Sequence, residues 1–171
     1  APAAIPFAAG ATIPLRGVGH RVVATGRIRG RVEIDADEIG PLLLVPGEAQ
    51  HQSRRLVDWL KAEAGADLRR QSQVHADTLG VNVMAVSLRD QTTRWGSCSS
   101  TGRLSYNWRL IMAPDFVLDY VAGHEMAHLR QMNHSPAFWR TVEQALPDMA
   151  RDRTWLRAHG RELMAYGTGG D

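Results

Sequence analysis

Hydrophobic positions change their period three times along the chain, and each change marks a different kind of element. Thr12 to Leu15, His20 to Thr25, Arg29 to Ile34 and Leu42 to Val45 are short runs rich in Val, Ile and Leu. Gly17, Gly19, Gly26, Gly30 and Gly40-Pro41 punctuate them, the pattern of strands between tight turns. Arg27, Arg29 and Arg31 alternate with Ile28, Gly30 and Val32, which predicts one wet and one buried face; a solvated face accounts for these arginines without a ligand. From about 48 to 79 the spacing turns to three and four, through Leu56, Trp59, Leu60, Ala64 and Leu68, and predicts a helix. Gly65 is a point where it can be interrupted, Gly80 ends it, and His75 is read as an exposed residue on it.

Alternation returns over Val81 to Arg89 and over Arg103 to Ile111, on either side of a Ser-, Thr- and Gly-rich loop at 92–102. The pair is read as antiparallel, with one edge able to receive an extended substrate. Pro114-Asp115 then opens a helix that is apolar nearly all round, through Phe116, Val117, Leu118, Tyr120, Val121, Ala122, Met126, Ala127 and Leu129. Such a helix belongs in the middle of a domain. Ser135-Pro136 starts the next helix as N-cap and first helical residue, with Phe138, Val142 and Leu146 as its apolar stripe. After Pro147 a last helix is expected over 148–158, stopping before Gly160, with Arg151, Arg153, Arg157 and Arg161 on its solvated side. The fold class is therefore α+β. A β-rich region at 1–47 precedes a domain at 48–171, with a helical middle and a strand pair packed on the buried helix.

Composition narrows this little. Of 171 residues, 44% are apolar and 22% charged, as in an ordinary globular protein. No apolar run approaches the roughly 20 residues of a membrane helix. The opening APAAIPFAAGA lacks the basic start of a signal peptide. With no initial Met, the chain is read as beginning partway through a longer product, and the tail GTGGD as frayed. Cys98 is the single cysteine, so no internal disulfide forms and a reducing cytoplasm is the expected location. A net charge of +2 does not by itself point to nucleic acid.

The chemistry concentrates in HEMAHLRQMNH, residues 124–134. His124 and His128, four apart, share one helix face and can clamp one metal ion, while Glu125 can reach a water on it. Two histidines and a glutamate inside so apolar a helix are costly without partners, and a metal supplies one. His134 is the expected third ligand, preferred to Glu143 on the following helix. The spacing is that of the metzincin proteases, except that Gln131 stands where those carry a turn glycine; Asn133 is the residue here that tolerates a left-handed turn. Three protein ligands leave one position open, the arrangement of a catalytic zinc rather than a structural one. Glu125 is then the general base, and the second electrophile is sought among Arg94, Tyr106, Asn107 and Tyr120. Cys98 is read by default as a loop or buried thiol. Trp95, Trp108, Trp139 and Trp155 are read as core around the site.

These residues also carry a family resemblance. RWGSCSS (94–100), SYNWRL (105–110), the Ala-Pro before the helix, HExxH, and NHSPAFW (133–139) together resemble the YgjP-like metal-dependent hydrolases, relatives of the WLM and SprT-like zinc metallopeptidases. The likeness is dense over about residues 80 to 160 and loose before that. It implies a zincin-like fold, zinc held by residues matching His124, His128 and His134, and Glu125 as the catalytic glutamate. It implies peptidase activity, and also the nucleotide pyrophosphatase activity attached to some members. The leading expectation is thus a zinc peptidase acting on peptides or proteins, with no membrane partner. A nucleotide pyrophosphatase is the alternative. A non-enzymatic zinc-stabilised module is the third reading: Cys98 would close the coordination and the arginine-bearing helix would contact nucleic acid.

Overall fold

The structure is a computed structural model that describes residues 6–167. Thr168 to Asp171, and with them most of the GTGGD tail, lie outside the described residues. Four strands form the first sheet: β1 (Thr12–Leu15), β2 (Val18–Ala24), β3 (Glu33–Ala36) and β4 (Pro41–Val45), in the order β1-β2-β4-β3. Leu15 pairs with Val18, so Arg16 and Gly17 alone make the turn, both at positive φ (50° and 82°). That is the primed geometry that matches strand twist. The hairpin tip is a clamp. Arg16 Nε donates to Asp67 on the following helix (2.9 Å), and the Arg16 and Gly17 amides donate to the carbonyls of Ile111 and Met112. An added Cβ on Gly17 would sit 2.9 Å from Pro114 Cα, so only glycine lets the tip reach the start of the helix that begins at Asp115.

The third strand falls at Glu33–Ala36, later than the alternation at 27–32 suggests, and all four of its residues are exposed. Gly30, at φ 124°, breaks the alternating arginine run before it can pair. Helix α1 (Ala49–Leu79) runs unbroken through Gly65, which is buried, and ends at Gly80 in the left-handed conformation. His75 corrects its reading as a surface residue: it is 4% exposed, and its Nε2 lies 2.6 Å from Asp119.

The second sheet corrects the strand pairing. β5 (Ala85–Arg89) lies parallel to β7 (Arg103–Asn107), and the antiparallel partner of β7 is β6 (Gly96–Cys98), inside the segment read as loop. The chain leaves β5, crosses to the far side of β7, runs back as β6 and turns at Ser99–Gly102 into β7. Gly102 holds φ 88° there, and a Cβ on it would meet the Asn82 carbonyl at 2.7 Å. β7 also stops sooner than its alternation suggests. Asn107 Oδ1 accepts from the Arg109 amide (3.0 Å) and turns residues 108–112 into a 3-10 helix.

Helix α2 (Asp115–Ala127) follows, then α3 (Pro136–Ala145) and α4 (Met149–Met164). α4 continues through Gly160, which lies against Trp95. Buried side chains from β1, β2, β4, α1, β7 and α2 to α4 form one apolar cluster, with α2 at its centre. Among the described residues, no helix is long and apolar enough to cross a membrane.

Candidate metal centre

α2 is buried on most of its circumference, so its polar residues are placed by the core rather than by solvent. His124 is half-buried and His128 buried. The last turn tightens: the amides of His128 and Leu129 donate three residues back, and those of Arg130 and Gln131 share the Ala127 carbonyl. This tightening, and no left-handed residue, turns the chain toward α3. Asn133 therefore does not take the role of a turn glycine, since Arg16 is the non-glycine at positive φ among the described residues. Ser135 then caps α3, its Oγ accepting from the Phe138 amide (3.3 Å), which fixes His134 between the two helices.

The three imidazoles converge. One ring nitrogen from each of His124, His128 and His134 lies within 4.8 Å of the others, and four-coordinate binding at about 2.05 Å would draw them in to roughly 3.3 Å. Phe138 stacks on His128 (4.4 Å between centroids, 26°), and Trp139 stacks on His134 (5.9 Å, 25°). Aromatic walls keep the rings in place and lower the local dielectric. Burial, reinforced by His128 and His134, pushes His124 down to about 4, and burial also lowers His128. Both are therefore neutral at pH 7, the form that ligates a metal.

Glu125, the residue after His124, faces β6. Its carboxylate has no hydrogen-bond partner among the described residues, and burial raises it to about 7 against the opposing pull of Arg94. Among those residues no fully buried side-chain oxygen or nitrogen lacks a partner, so the Glu125 oxygens are in contact with solvent. Gly96 makes this possible: a Cβ there would lie 3.0 Å from Glu125 Cγ. The helix thus carries convergent neutral imidazoles and, beside them, an unpaired buried acid that reaches solvent.

The family model of the YgjP-like metallopeptidase domain matches residues 1–159. The chain belongs to the YgjP-like family. Its coarse activity is therefore that of a metal-dependent peptidase, with peptides or proteins as substrates. The structure is also similar to the crystal structure of the metallopeptidase zymogen of Pyrococcus abyssi abylysin, at 22% identity and a TM-score of 0.48, over 55% of this chain and 93% of that one. No curated protein matches the chain.

In this YgjP-like domain the four candidate electrophiles separate into two groups. Tyr106 and Asn107 are withdrawn as donors to a reacting group. The Tyr106 hydroxyl bonds Ser72 on α1 (2.9 Å) in a fully buried position, and the Asn107 amide donates to the Gln91 carbonyl while its oxygen serves Arg109. Tyr120 and Arg94 remain at the site. The Tyr120 hydroxyl lies 3.4 Å from His124 Nδ1, and the Arg94 charge acts on Glu125. Cys98 is not part of the three-histidine group. Its thiol donates to the Ser99 carbonyl (3.2 Å), and burial, with the Glu125 charge, raises it to about 11. Of the tryptophans, Trp108 is core, whereas Trp139 forms a wall of the site itself.

Sequence reading missed two participants. Arg153, assigned to a solvated face, lies over the Trp139 ring (4.3 Å), and its charge contributes to lowering His124. Nothing in the spacing of α4 reveals that. Gly96 carries a signal only once 96–98 is known to be a strand, since a glycine there marks a close approach of other atoms.

Proposed function

We propose that the domain is a zinc-dependent peptidase in which Glu125 serves as general base and acid. The observation that carries this is the pairing of three convergent imidazoles with a buried acid that no other residue bonds. The donor set fits zinc: three borderline nitrogen ligands and no carboxylate cage of the kind calcium or magnesium takes. His128 Nδ1–H donates to the Gln131 carbonyl (3.2 Å) and His124 Nδ1–H can donate to Tyr120, which leaves Nε2 of each ring free to ligate. Bound there, zinc would polarise the scissile carbonyl and bring the pKa of a water toward about 7.

The remaining roles belong to the chain. Glu125 takes a proton from the attacking water on a carboxylate oxygen and returns it to the leaving amine. Its raised pKa suits both steps, because an acid near neutrality gives and accepts protons with similar ease. Arg94 moderates that elevation and keeps a useful fraction ionised. Tyr120 orients His124. β6 is an edge strand packed beside α2, so an extended peptide can add to it and lie past Glu125.

Cleavage of a mixed peptide pool by the zinc-loaded protein and by its Glu125→Gln variant tests this reading. The variant should keep its zinc and lose cleavage by about 10²- to 10⁴-fold. Equal cleavage by the two proteins would contradict it.

A further inference from the structure

β6 divides two environments. Gly96 faces Glu125, whereas Ser97, the next residue, faces away from it into a pocket of about 290 Å³ on the other side of the sheet. Arg89, Arg94, Ser97 and Ser105 are among its lining residues, together with Gln91 and Asn107, and Gly96 and Tyr106 belong to the wall it shares with the Glu125 side. Strand pairing explains the convergence. Ser97 stands opposite Ser105 on β7, and Ser87 and Ser105 are within 3.3 Å on the same face, which places Arg89, two residues on from Ser87, over that face too. No carboxylate lines the pocket. Arg89 and Arg94 stand exposed at its rim with no ion pair or side-chain hydrogen bond among the described residues, so both guanidinium groups can turn to a ligand, although the charge of Arg94 also acts on Glu125.

We propose that this pocket is a specificity subsite for a carboxylate of the peptide substrate, gripped by Arg89 and Arg94 with Ser97 and Ser105 as further donors. The proposal rests on the peptidase reading and deepens it. A peptide added to the edge of β6 alternates its side chains between the two faces of the sheet. A residue directed to the Glu125 side is therefore flanked by residues directed to the pocket side. A planar guanidinium pairs a carboxylate through two parallel hydrogen bonds, which gives geometric selection as well as charge. Hydroxyls can donate to the same oxygens, and a neutral amide in that place would leave both guanidinium groups without a counter-charge. The carboxylate can be an acidic side chain or a free C-terminus, since both offer the same group.

The test uses zinc-loaded Glu125→Gln protein and fluorescent octapeptides that carry Glu or Gln at each position in turn, each made with a free or an amidated C-terminus. Binding is read by fluorescence anisotropy. At one register the Glu peptide, or the free-acid form, is expected to bind about tenfold more tightly than its neutral counterpart. Adding Arg89→Gln and Arg94→Gln should remove that preference, while the Arg89→Lys and Arg94→Lys protein should keep part of it. The free-acid and amide arms identify which carboxylate is read. A preference absent from the parent protein, or one that survives loss of both arginines in a variant with an unchanged melting temperature, would overturn the subsite. The peptidase reading fails separately, if wild-type protein cleaves no peptide even though the arginine-dependent preference is present.

Discussion

Asp119, partly exposed, and Glu125, buried, lie on the same helix, and the protein treats them in opposite ways. Asp119 faces α1, where Gln71 donates to it (2.8 Å) and His75 Nε2 lies 2.6 Å away. Burial alone would raise Asp119, but the bond and charge of His75, with Gln71, hold it below the ordinary value. Glu125 faces β6 and a glycine, receives no hydrogen bond, and is raised to about 7 by burial. The first carboxylate locks two helices together, and its polar needs are met inside the chain. The second receives no bond from the chain, and Gly96 beside it leaves no room for a donor side chain. A buried acid without a partner destabilises the fold and is retained where chemistry uses it.

Substitutions at and around these two carboxylates test the contrast. Glu125→Gln should give the largest change, the loss of cleavage described above. In metal-free protein it should also raise stability above pH 7. The native state holds the Glu125 proton up to about 7 while the unfolded chain releases it near 4.5, so stability falls as pH rises through that window, by on the order of 3 kcal/mol. Thermal melts at pH 5 and pH 8 read this directly. A Glu125→Gln protein less stable than wild type at pH 8 would break the contrast. Gly96→Ala should come next. Its methyl would press on Glu125 Cγ, and kcat should fall by about tenfold with zinc content unchanged.

Asp119→Asn should do the reverse, with a loss of about 1–3 kcal/mol in denaturant unfolding and cleavage retained. With a substrate that carries no carboxylate for the Arg89–Arg94 pocket, Arg94→Gln should give the smallest change, confined to pH dependence. Arg94 holds Glu125 down, so removing its charge should move the acid limb of kcat/KM to higher pH, because the carboxylate form then appears later. A limb that moves to lower pH would show that Arg94 does not act on Glu125.

The Glu125 side was legible in the sequence because its signals are local. HExxH needs only helical spacing, and Ser135-Pro136 announces the cap that fixes His134. The Asp119 side was not. His75 carries no mark of its distant partner, and its environment exists only once α1 packs on α2. The second sheet failed for a related reason. Two alternating runs around a loop look like a hairpin, and nothing in either run shows that three residues of the loop, Gly96–Cys98, take the place beside β7 that the hairpin reading gave to β5. Arg109, read as one polar position of a strand, is 1% exposed and paired with Asp90, a pairing that depends on the 3-10 turn set by Asn107.

The central claim is an open zinc site made of three histidines, with Glu125 beside it. X-ray absorption at the zinc edge of the loaded protein near neutral pH tests this most directly. The expected first shell is three imidazole nitrogens and one further light atom at about 2.0–2.1 Å, lost in part on His134→Ala. A sulfur scatterer at about 2.3 Å, which only Cys98 or a methionine could supply, would contradict the account, as would a shell unchanged by loss of His134.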